Sequence, residues 1–323
     1  MTPRERVEAV IRHEKPDRMP IYGWVRFNME DKINDRFGSV EAFEDHYEFD
    51  LAHLFGGPEA NFLGEEYAAK KKAGATIEPP DVVDLPLNDP EEDQKFDDLR
   101  AQIKHHKTDR SRFVYVQTPG LFEQLNTVFG IEDHLCYFLE FPDELKEVYR
   151  KQAEWNRKFA GKCLDLGVDM IHVSDDWGSQ KSLLFSPKVW WDMIYPGHKL
   201  VADYVKGRGG YVSLHSDGDI NLVVDGIKKI GYDVVHPWQE SAGMSYEDFL
   251  KNHSDSFSIM SGYDIQTTLG FGRLDDVRSA AERVVRLFGD GGLIFCTTHF
   301  VQDHCSIDEL TYAYDTICNL TRT

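Results

Sequence analysis

From residue 113 onward the chain repeats one unit, a short apolar run followed by a helical stretch, and this rhythm limits its fold more than any other feature. The runs lie at 113–116, 169–173, 212–215, 234–236, 257–260 and 293–297. Two weaker ones precede them, at 19–22 and 49–55. Strand–helix alternation predicts a parallel sheet, and eight such units close into a barrel. The expected fold class is therefore α/β, a (β/α)8 TIM barrel, with residues 1–323 forming a single barrel domain. Chemistry in such a barrel sits at the carboxyl ends of the strands.

Local signals fill in the rest. Thr2 and Pro3 predict the start of an N-terminal helical extension, with Val7, Val10 and Ile11 as its apolar stripe. Residues 78–100 carry nine acids against two bases, with prolines at 79, 80, 86 and 90, and read as an acidic excursion on the surface. Two glycine clusters, 207–210 and 289–292, follow a helix and precede a strand. A phosphate cradle needs the opposite order, so both read as helix ends. Ser306 opens the last helix with Glu309 at the capping-box position.

Composition excludes several function classes. The net charge is −20 and the pI about 5.0, a surface that repels phosphate backbones, so no nucleic-acid partner is expected. Five widely spaced cysteines without a Cys-x-x-Cys pair suit a reducing compartment. The amino terminus lacks the apolar core of a signal peptide, and no run of about 18 apolar residues occurs. The expected location is cytoplasmic, with no membrane partner. Walker loops, His-Glu-x-x-His and Gly-x-Ser-x-Gly are all missing from the sequence.

What chemistry remains lies just past the strands. His215 and Asp217 are two residues apart, which on an extended backbone turns both side chains to one face. Gly218 then lets the chain bend. Each alone has an ordinary explanation, a core histidine or a helix cap. With His299 after the last strand they form a His, carboxylate, His set that suits zinc or iron with open positions. Asp175 and Asp176 are paired carboxylates after the 169–173 run, one of them expected to face the pocket. Trp177, His236, Gln239, Tyr263 and Asp264, at other strand ends, are candidate substrate contacts. Cys296 is expected to pack, although a bend could bring it to the metal.

At these residues the sequence resembles the uroporphyrinogen decarboxylase superfamily, over nearly its whole length. The likeness rests on Arg4-Glu5-Arg6-Val7 with Lys15-Pro16-Asp17-Arg18-Met19-Pro20, on Asp175-Asp176-Trp177-Gly178-Ser179-Gln180 and Phe185-Ser186-Pro187, and on His215-Ser216-Asp217-Gly218. It continues in His236-Pro237-Trp238-Gln239, Ser261-Gly262-Tyr263-Asp264 and Thr297-Thr298-His299. The superfamily contains true decarboxylases and zinc-dependent, corrinoid-linked methyltransferases. Porphyrinogen decarboxylases carry an arginine-rich segment after the first strand, whereas Trp24-Val25-Arg26-Phe27-Asn28 offers a single arginine, Arg26, as a substrate contact. The methyltransferases hold zinc with a His-x-Cys pair and a distant cysteine. Here His215, Asp217 and His299 stand at those places, so harder donors replace both thiolates.

The resemblance therefore implies a zinc-dependent methyltransferase acting on a small O- or N-methylated compound, most simply a methoxylated one. Harder ligands leave more positive charge on the metal, which suits an oxygen leaving group. The methyl would pass to a corrinoid on a separate protein, the expected partner, and a homodimer is compatible with this. Asp175, Asp176 and Asp217 are the expected catalytic carboxylates. The alternatives are a metal-free decarboxylase of a non-porphyrin acid, uroporphyrinogen decarboxylase itself, and a non-catalytic barrel that binds a small ligand.

Overall fold

The computed structural model describes residues 1–322. Seven strands form one sheet in chain order. They are β1 (Leu51–Leu54), β2 (Phe113–Pro119), β3 (Met170–Ser174), β4 (Tyr211–His215), β5 (Val234–His236), β6 (Ser258–Tyr263) and β7 (Leu293–Thr297). The pairs β2–β3, β3–β4, β5–β6 and β6–β7 are all parallel. Helices connect the strands, as parallel crossovers require. Strands covered on both faces read as near-continuous apolar runs, and β3 and β7 are buried at every residue. The fold is a TIM-barrel-type α/β architecture.

One expected strand is nearly lost. Of residues 19–22 only Ile21 pairs, as a single parallel bridge to Phe295 of β7. The main-chain bonds there are Tyr22 N–H to the Phe295 carbonyl (2.8 Å), Phe295 N–H to the Pro20 carbonyl (2.9 Å) and Asp50 N–H to the Ile21 carbonyl (2.9 Å). Pro20 has no N–H to extend the ladder. The N–H of Ile21 goes to the Asp50 carboxylate instead, at 2.8 Å. The segment keeps the eighth strand's place with almost none of its pairing.

The contacts divide the chain into two compact units, residues 1–52, 106–114 and 233–323, and residues 53–105 and 115–232. The first contains the helix Pro3–Ile11, whose Thr2 cap and Glu5 form a reciprocal capping box. Fully buried Asp50 accepts from Arg6 (2.5 Å) and Arg18 (2.8 Å). Those arginines belong to the segments 4–7 and 15–20. Their role is to neutralise the carboxylate that fixes Ile21. Glu309 departs from the expected capping box. Ser306 caps the helix Ile307–Thr321, while the Glu309 carboxylate accepts three main-chain N–H groups, from Gly270, Phe271 and Gly272.

In the second unit the 25-residue helix Pro142–Leu166 is the longest element. The acidic segment docks on it and is more ordered than a bare loop. It forms the short helices Pro79–Val82 and Asp93–Phe96. Phe96 packs on Phe159 with ring centroids 5.6 Å apart, and the Trp155 indole donates to the Asn88 carbonyl at 2.9 Å. A few buried side chains anchor the segment while its acids stay in water. Both glycine clusters end helices, Tyr195–Gly207 and Leu274–Phe288.

Candidate active site

In the 53–232 portion, β3 and β4 run side by side in a register that sets Ser174 opposite His215. The loops leaving the two strands are stitched together. Asp175 N–H donates to the His215 carbonyl (2.9 Å), Trp177 N–H to Ser216 Oγ (3.0 Å) and Asp219 N–H to the Ser179 carbonyl (2.8 Å). The two backbones touch glycine to glycine. A Cβ on Gly178 would stand 2.5 Å from the Asp217 carbonyl oxygen, and one on Gly218 2.6 Å from the Gly178 backbone. Gly218 also has φ +82°, so it serves both the turn and the close approach.

This stitching presents a cluster. Asp217 N–H donates to Asp176 Oδ1 at 2.9 Å. His215 Nε2 lies 3.6 Å from that same oxygen and 3.9 Å from Asp217 Oδ1. His215 is buried, whereas Asp176 and Asp217 are half-exposed. Behind them stands His172 on β3, which sequence reasoning passed over. Its ring centroid is 5.9 Å from that of His215, the two offer ring nitrogens within 4.8 Å, and its Nδ1 meets Ser213 Oγ at 2.7 Å.

The paired carboxylates differ in role. Asp175 is fully buried. It accepts from the Trp177 indole (2.8 Å) and the Glu123 main chain (2.7 Å), and its Oδ2 meets His198 Nε2 at 2.8 Å. Burial pushes its carboxyl up, but the His198 bond and charge, with those two donors, hold it below the usual carboxylate range. Asp175 thus anchors the loop, and Asp176 is the member that reaches the cluster. Trp177, an expected substrate contact, packs in the interior. It is fully buried, against Trp190 and His198 at 5.3 and 4.9 Å.

Glu123 is the other omission. It lies four residues past β2, its carboxylate accepting from Ser174 Oγ at 2.9 Å. Burial, then the charges of Asp176 and Asp175, push its carboxyl up to about 7. The signal in the sequence was an acid close behind a strand, at Thr118-Pro119-Gly120-Leu121-Phe122-Glu123. A cavity of about 350 Å³ opens there, lined by Phe55, Gln117, Gln124, Glu123 and Ser174 among others.

In the other portion, His299 lies two residues past β7, half-exposed. It stands in an aromatic group, its ring 5.6 Å from Trp24 and 5.4 Å from Phe300. Trp24 N–H donates to Thr297 Oγ1 at 3.0 Å, and its ring meets His236 at 4.5 Å. His236 is fully buried, with Nε2 3.0 Å from the Thr297 carbonyl. Arg26 turns its guanidinium onto Glu44, at 2.9 and 3.1 Å. Gln239 is buried and donates to Ser241 Oγ at 3.1 Å. Tyr263 is fully buried and its hydroxyl donates to the Ala313 carbonyl at 2.8 Å. Asp264 lines a separate small cavity of about 90 Å³ with Arg283 and Thr298. Cys296 is fully buried, which pushes its thiol far above its ordinary value. It packs.

The nitrogen and oxygen donors of His215, Asp217 and His299 suit zinc chemically. No helix among the described residues is long and apolar enough to cross a membrane. The fold is similar to that of a methyltransferase from Methanosarcina mazei, at 13% identity and TM-score 0.76, covering 99% of this chain and 98% of that one. It is also similar to a B12-independent methionine synthase from Shewanella sp. W3-18-1, at 11% identity and TM-score 0.54, covering 95% and 94%. No curated protein sequence matches the chain. The family model for uroporphyrinogen decarboxylase (URO-D) matches residues 63–319, and the chain belongs to that family.

Proposed function

We propose that this protein is a zinc-dependent methyltransferase, taking a methyl group from a small O- or N-methylated compound and passing it to a corrinoid on a separate protein. The observation that carries the reading is the pairing of His215 with Asp217, 3.9 Å apart at the end of β4, with Asp176 3.6 Å from the same imidazole nitrogen. His299 is proposed as the third ligand, and residues 1–323 are taken as one barrel domain. The likeness of the fold to a methyltransferase and a methionine synthase supports the reaction class.

His215, Asp217 and His299 would hold the zinc, which would supply Lewis acidity to the leaving heteroatom. The protein's own groups do the rest. His215 is neutral when it binds metal, Asp217 balances part of the charge, and Asp176 orients Asp217 by accepting its main-chain N–H. Asp175 keeps the β3 loop rigid. The carboxylates Asp175, Asp176 and Asp217 repel a polyanion, which supports a neutral or cationic methyl donor over a porphyrinogen.

The test is metal analysis joined to single-turnover transfer to reduced cobalamin. The parent should hold about one zinc per chain, reduced in both His215→Ala and His299→Ala, and should demethylate at least one methoxylated aromatic or methylated amine. Carbon dioxide release from a small acid, without methylation of cobalamin, would identify a decarboxylase instead.

A further inference from the structure

Removing a methyl group from oxygen leaves an electron pair on that oxygen. Unless the leaving group is very acidic, it needs a proton. Of the carboxyl groups beside the β3–β4 cluster, Asp175 is buried and takes bonds on both oxygens, and Asp176 accepts the Asp217 N–H. Glu123 stands differently. Its carboxyl accepts from the Ser174 hydroxyl at 2.9 Å and from the Asp176 main chain, and it alone of the three lines the 350 Å³ cavity.

We propose that Glu123 is the proton donor to the leaving oxygen, and that the leaving group lies in this cavity as a neutral alcohol or phenol against Phe55, Gln117 and Gln124. This rests on the methyltransferase reading and extends it to the donor. In the step the methyl–oxygen bond breaks with its electrons staying on oxygen. The methyl goes, as a methyl-cation equivalent, to the two-electron cobalt nucleophile of a reduced corrinoid. The oxygen takes the Glu123 proton, and Glu123 is left as a carboxylate to be reprotonated from water. The charged groups facing it from neighbouring segments are Asp175 and Asp176 after β3 and Glu59 across the cavity. Burial, then the charges of Asp176 and Asp175, favour the protonated form over the opposing pull of the Ser174 and Asp176 main-chain hydrogen bonds.

The test compares E123Q with the parent on a series of methyl ethers whose leaving groups differ in acidity, with a quaternary ammonium donor as control, because a tertiary amine leaves without needing a proton. For ethers of weakly acidic phenols, E123Q should slow single-turnover transfer by roughly 10²–10⁴-fold. The slowing should shrink with nitrophenyl ethers and vanish with the ammonium donor. The parent's rate on weak leaving groups should fall as pH rises through about 7, and E123Q should lose that limb. Equal slowing on every donor, or none, overturns the proposal.

Phenol binding to metal-free protein, followed calorimetrically above pH 7, gives a readout independent of turnover. The Glu123 carboxylate should accept from the phenolic O–H, and E123Q should weaken binding roughly 10–100-fold. Unchanged affinity overturns the Glu123 assignment whatever the methyl assay shows. Glu123-dependent binding in a protein that methylates no cobalamin overturns the methyltransferase reading and upholds Glu123 as the group meeting the oxygen.

Discussion

Asp217 donates its main-chain N–H to Asp176 Oδ1 at 2.9 Å, so the loop after β3 holds the loop after β4 by one charge-assisted bond. The same Asp176 oxygen is 3.6 Å from His215. Asp176 therefore acts on the proposed metal site through another residue. Asp176→Ala should weaken zinc binding roughly 10–100-fold, as loss of outer support for a ligand does. Asp176→Asn keeps a carbonyl acceptor and should recover most of it. Chelator competition measures both. Equal losses in the two variants would point to charge rather than position.

Gly178 tests the glycine-to-glycine contact. A methyl group there would sit 2.5 Å from the Asp217 carbonyl and 2.8 Å from the Asp219 nitrogen, all backbone that cannot rotate away. Gly178→Ala should cost about 1–3 kcal/mol of stability and weaken zinc binding as well. Gly207 is the comparison, with nothing within 4 Å of its Cβ position. Gly207→Ala should be neutral or stabilise by up to ~1 kcal/mol. Melting curves and metal titrations of the pair separate crowding from a general effect of added bulk.

Much of this architecture was legible because a buried parallel strand is apolar along most of its length, as β3 and β7 are. The eighth strand was not, because its fate depends on Asp50, about thirty residues away in sequence, whose carboxylate takes the N–H the ladder needed. In the site, His215 and Asp217 were readable as neighbours since two residues of extended chain bring them together. Glu123 and Ser174 are 51 residues apart, and only the order of the strands joins them. Trp177 and Tyr263 sit at or just past strand ends as pocket residues do, yet both pack against neighbouring helical elements. Sequence position gives the height along a barrel but not the side a ring turns to.

Asp50 should be the most sensitive structural position. It accepts from two arginines and from the Ile21 main chain, at 2.5, 2.8 and 2.8 Å, with no exposure of its own. Removing one member of a buried charge network leaves the others uncompensated and costs about 3–5 kcal/mol. Asp50→Ala should lower the free energy of unfolding by that amount. Hydrogen exchange should speed up at Ile21, Tyr22 and Phe295 before it does at β6. Uniform acceleration across the sheet would mean that Asp50 is not what fixes the Ile21 segment.

His134 supplies the clearest pH dependence. It is fully buried between Asn126 Oδ1, 2.7 Å from Nδ1, and the Tyr149 hydroxyl, 2.8 Å from Nε2. Those partners assign the proton to Nδ1, with Nε2 accepting from the tyrosine. Burial lowers its pKa to about 3, against a weaker opposing pull from Asp175. Its ordinary value is 6.5. Above 6.5 both folded and unfolded chains carry it neutral, and it contributes no slope. Below 6.5 the unfolded chain takes a proton that the folded chain refuses, so stability falls with falling pH until about 3. Between pH 6.5 and 4.5 that loss amounts to ~2–3 kcal/mol, at 1.36 kcal/mol per pH unit. His134→Gln keeps hydrogen-bonding capacity without titrating. It should be less stable than the parent at pH 7, yet lose less stability by about 2–3 kcal/mol on going to pH 4.5. Urea unfolding at the two pH values measures this. Parallel losses in parent and variant would assign the acid sensitivity to other groups and show that His134 takes its proton in the folded state.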